Sequence, residues 1–493
     1  MKKLALCFLS LAIFSLTAFA AENNQLHNHL AQRSLLSPLL QVGPQAIPAA
    51  AAAGANYGLF TCQVGLSSAT CYDPYEMRHA YNVDTLINAG LDGTGKTIVI
   101  LDSFQSPNIV AELNFFNSFY GLASLNGLGG APNPSLGTFT QIAPDGLTPF
   151  VVGNGNMTGW AEEITLDVLW SHAIAPGANI TLVLAKSNND ADLLSATQYA
   201  VSNNLGDVIS QSFGGNESCE DASLLAQQHQ IFAEATAKNI TIFASAGDNG
   251  AAQRSCDGSS LVQAASSPAS DPLVTAVGGT ELHAAPYCLT VLGCDPTTNP
   301  AAGTYQGEIV WNEAGIGATG GGFSVVHDEP PYQQGTIHGG KQRGEADVSY
   351  NSAVLHGLLT YLDIPGLPVS FYLFGGTSAG SPQWAAITAI ADQNAGRDLG
   401  FINQALYHIG QAQSRYSADL FDVTVGNNSF DGVTGFNAGA GWDPATGLGS
   451  PSAVNLIGDL KQFVSAGDGT AAIAGSAPHA QGNPSAPGQM NPH

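Results

Sequence analysis

Ser378 stands in Phe374-Gly-Gly-Thr-Ser-Ala-Gly-Ser-Pro382, after the strand-like residues 369–373 and before the apolar run 383–390. A serine held between small residues at a strand-to-helix turn is the way a serine hydrolase presents its nucleophile. Small neighbours permit the tight turn, and Pro382 suits the first helical turn, where its missing N–H costs nothing. The N-terminus of that helix favours negative charge developing beside the serine.

Three acidic positions could serve such a nucleophile. In Trp160-Ala-Glu-Glu-Ile-Thr-Leu-Asp-Val-Leu-Trp170, Glu163 and Asp167 are four apart and share a helix face, about 5–6 Å apart at Cβ. Glu162 is rotated away and is expected to be solvated. Two neighbouring carboxylates resist losing both protons, which couples their titration and raises one pKa. Glu163 could then accept the proton of Ser378 while Asp167 orients it. Histidine would stay protonated in an acidic medium and could not act as the base. Asp248 follows a strand-like run in Phe243-Ala-Ser-Ala-Gly-Asp-Asn-Gly250. Only its protonated form can donate a hydrogen bond to an oxyanion, and burial among other acids favours that form. Asp102 ends the apolar run 96–101 and is placed as an outer acid near the same point.

The elements that must carry these residues alternate in type. Apolar runs at 96–101, 180–185, 207–210, 240–244 and 273–277 read as strands buried on both faces. Helical patterns lie between them at 160–173, at 190–202 after Asn189 as N-cap, and at 221–238. Alternation of this kind predicts an α/β fold, a mostly parallel central sheet with helices on both faces. Long insertions such as 283–330 account for the size of the domain.

Residues 1–20 read as a secretory signal: Lys2-Lys3, an apolar stretch, then Ala18-Phe-Ala20. No later stretch is apolar for long enough to span a bilayer, so a secreted protein without a membrane anchor is expected. Residues 21–74 form a short, weakly patterned N-terminal segment, with 48–54 as a linker or cleavable stretch. Residues 75–462 form the main domain, and 463–493 a disordered tail rich in Pro, Gly and Ala. Apart from Cys7 in the signal, Cys62, Cys71, Cys219, Cys256, Cys288 and Cys294 are available for disulfides in an exported chain. The expected pairing is Cys62–Cys71, Cys219–Cys256 and Cys288–Cys294, the first and last of which close short loops. No Cys-x-x-Cys or paired-His spacing occurs, so a zinc site is not expected. The chain carries 38 acidic against 13 basic residues, net −25, which argues against nucleic acid or an anionic membrane as partner.

Taken together these segments resemble the sedolisin family of serine-carboxyl peptidases. The matches, in order, are Glu163-Ile-Thr-Leu-Asp167 with Ala175-Pro-Gly-Ala178, Ser245-Ala-Gly-Asp248, Gly376-Thr-Ser-Ala379 with Pro382, and Asp422-Val423 with Gly439-Ala-Gly-Trp-Asp443. Val277-Gly-Gly-Thr280, Glu308-Ile-Val-Trp-Asn312, Gly320-Gly-Gly-Phe-Ser324 and Ala346-Asp-Val-Ser349 support them. The resemblance implies a subtilisin-like fold with a C-terminal calcium-binding loop. It also implies Ser378 as nucleophile, Glu163 as general base, Asp167 as its partner and Asp248 as oxyanion donor. One structural Ca²⁺ would be held by the carboxylates of Asp422 and Asp443 and the carbonyls of Val423, Gly439 and Gly441. A secreted, monomeric enzyme acting on peptides or unfolded proteins at acidic pH follows from it.

The chain departs from the family pattern twice. Residues 21–74 are too few for the family's folded prodomain, and Phe213 stands where many members have Trp. Two rival readings are an ordinary Ser-His-Asp subtilisin and a catalytically silent binding scaffold of the same fold. A histidine base would lose activity below about pH 6, and a silent scaffold would leave Ser378 unreactive to active-site probes.

Overall fold

Two apolar layers sandwich one sheet, and strand alternation decides which residue faces which layer. The computed structural model describes residues 36–49, 58–290, 293–295, 297–337 and 341–466. The expected signal, Cys7, residues 50–54 of the expected linker and the tail beyond 466 lie outside the described residues.

The central sheet has eight strands. Thr97–Ser103 lies in its middle, parallel to Asn179–Ala185 on one side and Val208–Gln211 on the other. Phe139–Ile142 extends the first side, while Thr241–Ser245 and Thr275–Ala284 extend the second, all parallel. Val348–Asn351 also pairs in parallel with Thr275–Ala284, and Tyr305–Val310 closes that edge antiparallel. The last of these falls within the stretch 283–330 expected as insertion, so part of that stretch builds the sheet. Ile98 and Ile100 point to one core and Val99 and Leu101 to the other, the period-two alternation of a strand covered on both faces.

The helices Gly155–Ile174 and Gly380–Ala395 supply the first core through Ile164, Leu166, Trp170, Trp384, Ile387 and Ile390. The helices Asp190–Ser202 and Ala222–Ala237 supply the second through Leu193, Ala196, Ile231, Phe232 and Ala235. Asp221 caps its helix by accepting from the Ser223 N–H. Asn189 sits at the N-cap position of Asp190–Ser202 without bonding the helix amides; its side-chain amide reaches Ser187 Oγ instead, so the expected cap is positional only. All three disulfides form as read from the sequence.

Two differences concern the ends of the domain. Residues expected to be weakly patterned are built into sheets. Ser37–Pro38 pairs with Phe213–Asn216, Gln41–Gln45 with Ser370–Gly375, and Thr70–Tyr72 with His356–Leu362. The short length of these strands gave too few residues for a periodicity to show. At the other end the helix Ala453–Ala466 runs past 462, with Phe463 and Val464 packed against the core, so residues 463–466 are structured rather than tail.

Candidate active site

The strand Ser370–Gly375 leads into the turn that carries Ser378. After it, Gly376 takes φ +96° and Thr377–Ala379 forms one 3₁₀ turn leading into Gly380–Ala395. A Cβ on Gly376 would lie 2.5 Å from the Leu39 carbonyl oxygen, 2.6 Å from Asp248 Oδ2 and 2.7 Å from Leu40 Cα. Only glycine fits there, because both the dihedral and the space exclude a side chain.

Glu163 and Asp167 project from the middle of Gly155–Ile174, both fully buried, as is Ser378. The Glu163 pKa is pushed well up, first by desolvation and then by the neighbouring Asp167 and Asp102 carboxyls, while the Ser378 hydroxyl pulls it down. Asp167 is likewise raised by desolvation and then by Asp102, against lowering by the Ser212 hydroxyl and Glu163. Asp102 is pushed up to about 8 by burial. The Ser378 hydroxyl donates to the Ser212 carbonyl at 3.2 Å, and no hydrogen bond of good geometry joins it to Glu163. None of the four carboxyl oxygens of Glu163 and Asp167 has a hydrogen bond of good geometry. Buried carboxylate charge without donors is costly, so burial and mutual repulsion hold protons in this cluster above the usual carboxylate range.

Asp248 is buried at the end of Thr241–Ser245, three residues past the strand. Its Oδ1 accepts from the Thr377 N–H at 2.8 Å and the Thr377 hydroxyl at 2.9 Å. The Thr377 hydroxyl in turn accepts from the Gly247 N–H at 3.1 Å. Burial pushes the Asp248 pKa to about 7, against the lowering by Thr377. Thr377, inside the nucleophile motif, was not singled out from the sequence, although a hydroxyl beside the nucleophile is a signal in itself. Glu162 corrects its expectation. It is half-buried rather than solvated, and its pKa is raised to about 8 by desolvation and secondarily by Glu112. The groups acting on Glu163 are carboxyls and a hydroxyl. His172, on the same helix, is turned to the Ala123 carbonyl at 2.7 Å.

The chain's own residues 36–45 run through this site. The Leu39 N–H donates to the Ser212 carbonyl at 3.2 Å, and the Leu39 carbonyl accepts from the Ser378 N–H at 2.9 Å. Ser37 and Pro38 lie antiparallel to Gly214 and Phe213, and Leu36 packs in the core that holds Phe213 and Trp160. Phe213 itself packs 5.9 Å from the Trp160 ring. The Leu39 side chain is buried, with Cδ1 over the Gly214 backbone. Beyond it, Gln41 Nε2 stands 3.5 Å from Asp248 Oδ2. The Leu39–Leu40 peptide bond therefore rests at Ser378, its carbonyl beside a backbone N–H and a buried carboxyl. Nothing in composition or periodicity marks this segment.

The predicted calcium ligands meet at one loop. Asp422 Oδ2 accepts from the Gly441 N–H at 3.0 Å and Asp443 Oδ2 from the Gly439 N–H at 3.2 Å. Asp422 also accepts from Tyr416. Asp443 accepts from Ala445 and Thr446 amides and is raised to about 6 by burial. Val423 is buried next to Asp422.

No family model matches the chain. It is 30% identical over 412 residues to kumamolisin from Bacillus sp. (strain MN-32), covering 81% of this chain and 65% of that protein. It is 30% identical over 430 residues to sedolisin from Pseudomonas sp. (strain 101), covering 84% and 63%. With tripeptidyl-peptidase 1 from Rattus norvegicus it shares 28% over 334 residues, 63% of this chain and 54% of that one. The chain thus spans less than two thirds of the length of these relatives. Among solved structures, Pseudomonas sedolisin, a serine-carboxyl proteinase complexed with two molecules of pseudo-iodotyrostatin, superposes with a TM-score of 0.63 at 29% identity. That match covers 81% of this chain and 99% of the other. The chain belongs to the sedolisin family of serine peptidases and has its subtilisin-like α/β fold.

Proposed function

We propose that this chain is an exported, acid-active serine-carboxyl peptidase whose first substrate is its own Leu39–Leu40 bond. The observation that carries the reading is the Leu39 carbonyl, 2.9 Å from the Ser378 N–H with Asp248 Oδ2 close by. In this reading the carboxyl cluster carries one negative charge, on Glu163, with Asp167 protonated beside it. Glu163 takes the Ser378 proton as Oγ attacks the carbonyl carbon. The oxyanion is held by the Ser378 N–H and by neutral Asp248. Glu163 then returns the proton to the leaving amine, and water releases the acyl-enzyme by the same steps in reverse order. The window of activity lies between the first ionisation of the cluster and the titration of Asp248. Peptides and unfolded chains with an apolar residue ahead of the cut bond are the substrates that fit the buried place of Leu39.

The loop around Asp422 and Asp443 fits Ca²⁺. Two carboxylates already converge on Gly439–Gly441, and the expected ligands, those carboxylates with backbone carbonyls, are hard oxygens that suit Ca²⁺. The ion would add a cross-link between residues 422–423 and 439–443. Stripping it with a chelator at neutral pH is expected to lower the melting temperature, with recovery on adding calcium. Export rests on the signal-like residues 1–20. Among the described residues no helix is long and apolar enough to cross a membrane. We read the protein as a monomer.

The test is self-cleavage. Purified wild-type protein and Ser378→Ala, moved from neutral buffer to about pH 4, are followed by intact mass and N-terminal sequencing. A new N-terminus at Leu40 in the wild type, absent from Ser378→Ala, is expected. Cleavage at that bond in both proteins, or in neither while the wild type also leaves a peptide spanning residues 34–45 intact, defeats the reading.

A further inference from the structure

A second cluster of chemically capable side chains lies apart from the Ser378 site and from the Asp422–Asp443 loop. Glu281 and His283 are two apart on the strand Thr275–Ala284, so their side chains leave the same face. His356 opens the strand His356–Leu362. Glu281 Oε1 is 3.2 Å from Nε2 of His283 and 3.6 Å from Nε2 of His356. One ligand-capable atom from each of the three residues lies within 4.8 Å of the others. A tetrahedral ion with arms of about 2.1 Å separates its ligand atoms by about 3.4 Å, and the two measured distances straddle that value.

A further observation fixes the tautomer of His356. His356 Nδ1 lies 3.0 Å from the Leu282 carbonyl. A carbonyl only accepts, so Nδ1 carries the proton and the Nε2 lone pair faces Glu281 and His283. The Tyr72 hydroxyl donates to the same carbonyl at 2.7 Å and stands 3.5 Å from Nδ1. An outer partner of this kind fixes the tautomer and ring plane of a metal-bound histidine. The side chains of Glu281, His283 and His356 are 18, 43 and 23% exposed, so an ion can enter from solvent.

We propose that Glu281, His283 and His356 form a site for a first-row divalent cation, Zn²⁺ above all, with a fourth position open to water. Two imidazoles and one carboxylate suit zinc, cobalt or nickel and not calcium. The expectation from local spacing was that the chain holds no zinc site. That spacing misses a site assembled from two strands far apart in sequence, one carrying Glu281 and His283 and the other His356. The ion would tie the central sheet to the four-stranded sheet of Gln41–Gln45, Ser370–Gly375, His356–Leu362 and Thr70–Tyr72, which carries both the nucleophile turn and the segment lying on it.

The experiment uses the full chain as Ser378→Ala, so that self-digestion does not intervene, with calcium present to fill the oxygen loop. Zn²⁺ is titrated by calorimetry at pH 7, where free imidazoles are mostly neutral, and Co²⁺ by visible absorption. Expected are one Zn²⁺ per chain, an intense tetrahedral-type Co²⁺ spectrum, and a higher melting temperature with Zn²⁺. His283→Ala and Glu281→Gln should each weaken Zn²⁺ binding by at least about 100-fold, more than loss of an outer partner costs, and abolish the melting shift. His283 is half-exposed, so its variant should melt like the parent without metal; His356→Ala is the third arm. Absence of saturable Zn²⁺ binding, or equal binding by the parent and His283→Ala, overturns the proposal. Neither outcome bears on peptide hydrolysis, because the protein tested is already inactive.

Discussion

Replacing Asp248 by Asn isolates the proton that this site is expected to need. The Asp248 carboxyl has its pKa pushed to about 7 by burial, so its neutral, donating form falls tenfold per pH unit above that value. At pH 9 about 1% remains neutral, equivalent to about 2.7 kcal/mol of lost donor. An amide donates at every pH. Its orientation is set in advance, because the Thr377 N–H and hydroxyl both point at Oδ1, and the hydroxyl is held as a donor by accepting from Gly247. The amide oxygen must take that place, which turns Nδ2 towards the carbonyl of the bond to be cut. The assay is kcat/KM on a fluorogenic peptide carrying the residue 36–43 sequence, from pH 3 to pH 9 at constant ionic strength. Between pH 5 and pH 9 the ratio of Asp248→Asn to wild-type activity should rise by about 100-fold. Titration of Glu163, Asp167 and Asp102 affects both proteins, and Asp248 acts on Glu163 less than burial, Asp167 and Asp102 do, so the loss of the Asp248 proton dominates that ratio. A ratio that stays flat across the range would refute Asp248 as a protonated donor.

Two further outcomes are expected. Asp102, Glu112, Glu220 and Asp392 are buried, with pKa values raised to about 8, 7, 8 and 8, in each case chiefly by desolvation. Groups raised in the folded state favour folding below their unfolded pKa near 4, and that advantage is lost as pH rises towards 8. Melting of Ser378→Ala should therefore occur at higher temperature at pH 4 than at pH 8, and the opposite order in calorimetry would contradict the burial argument. The Cys219–Cys256 bridge closes a loop of 37 residues, which a chain-entropy model values at about 4 kcal/mol. Paired substitution to Ser should lower stability by up to that amount in denaturant titration, and an unchanged midpoint would place the constraint elsewhere.

Chemistry-bearing residues were legible where their spacing along one element matched its geometry. Glu163 and Asp167 are one helical turn apart, and a helix puts them side by side wherever it packs. Ser378 is legible because a run of small residues between a strand and a helix leaves little else for the turn to be. The buried strands showed as apolar runs because both faces of the sheet are covered, and their ends were displaced by one to several residues because hydrogen-bond pairing, not hydropathy, ends a strand. Glu162 was misread for the opposite reason: helix geometry says which way a side chain points, but not what lies there. Asn189 had the right residue type, yet its amide found Ser187 before the helix amides.

The amino-acid sequence by itself determined the alternating α/β order, the tight turn that carries Ser378, the side-by-side carboxyls of Glu163 and Asp167 and the two short-loop disulfides, since each depends on contacts between near neighbours in the chain. Tertiary structure alone decided what crosses long stretches of chain. It laid residues 36–45 over Ser378, set Thr377 against Asp248, and brought His356 to Glu281 and His283. Such contacts are fixed by how sheets stack and pair, and no local pattern of residue types encodes the distance between two strands far apart in the chain.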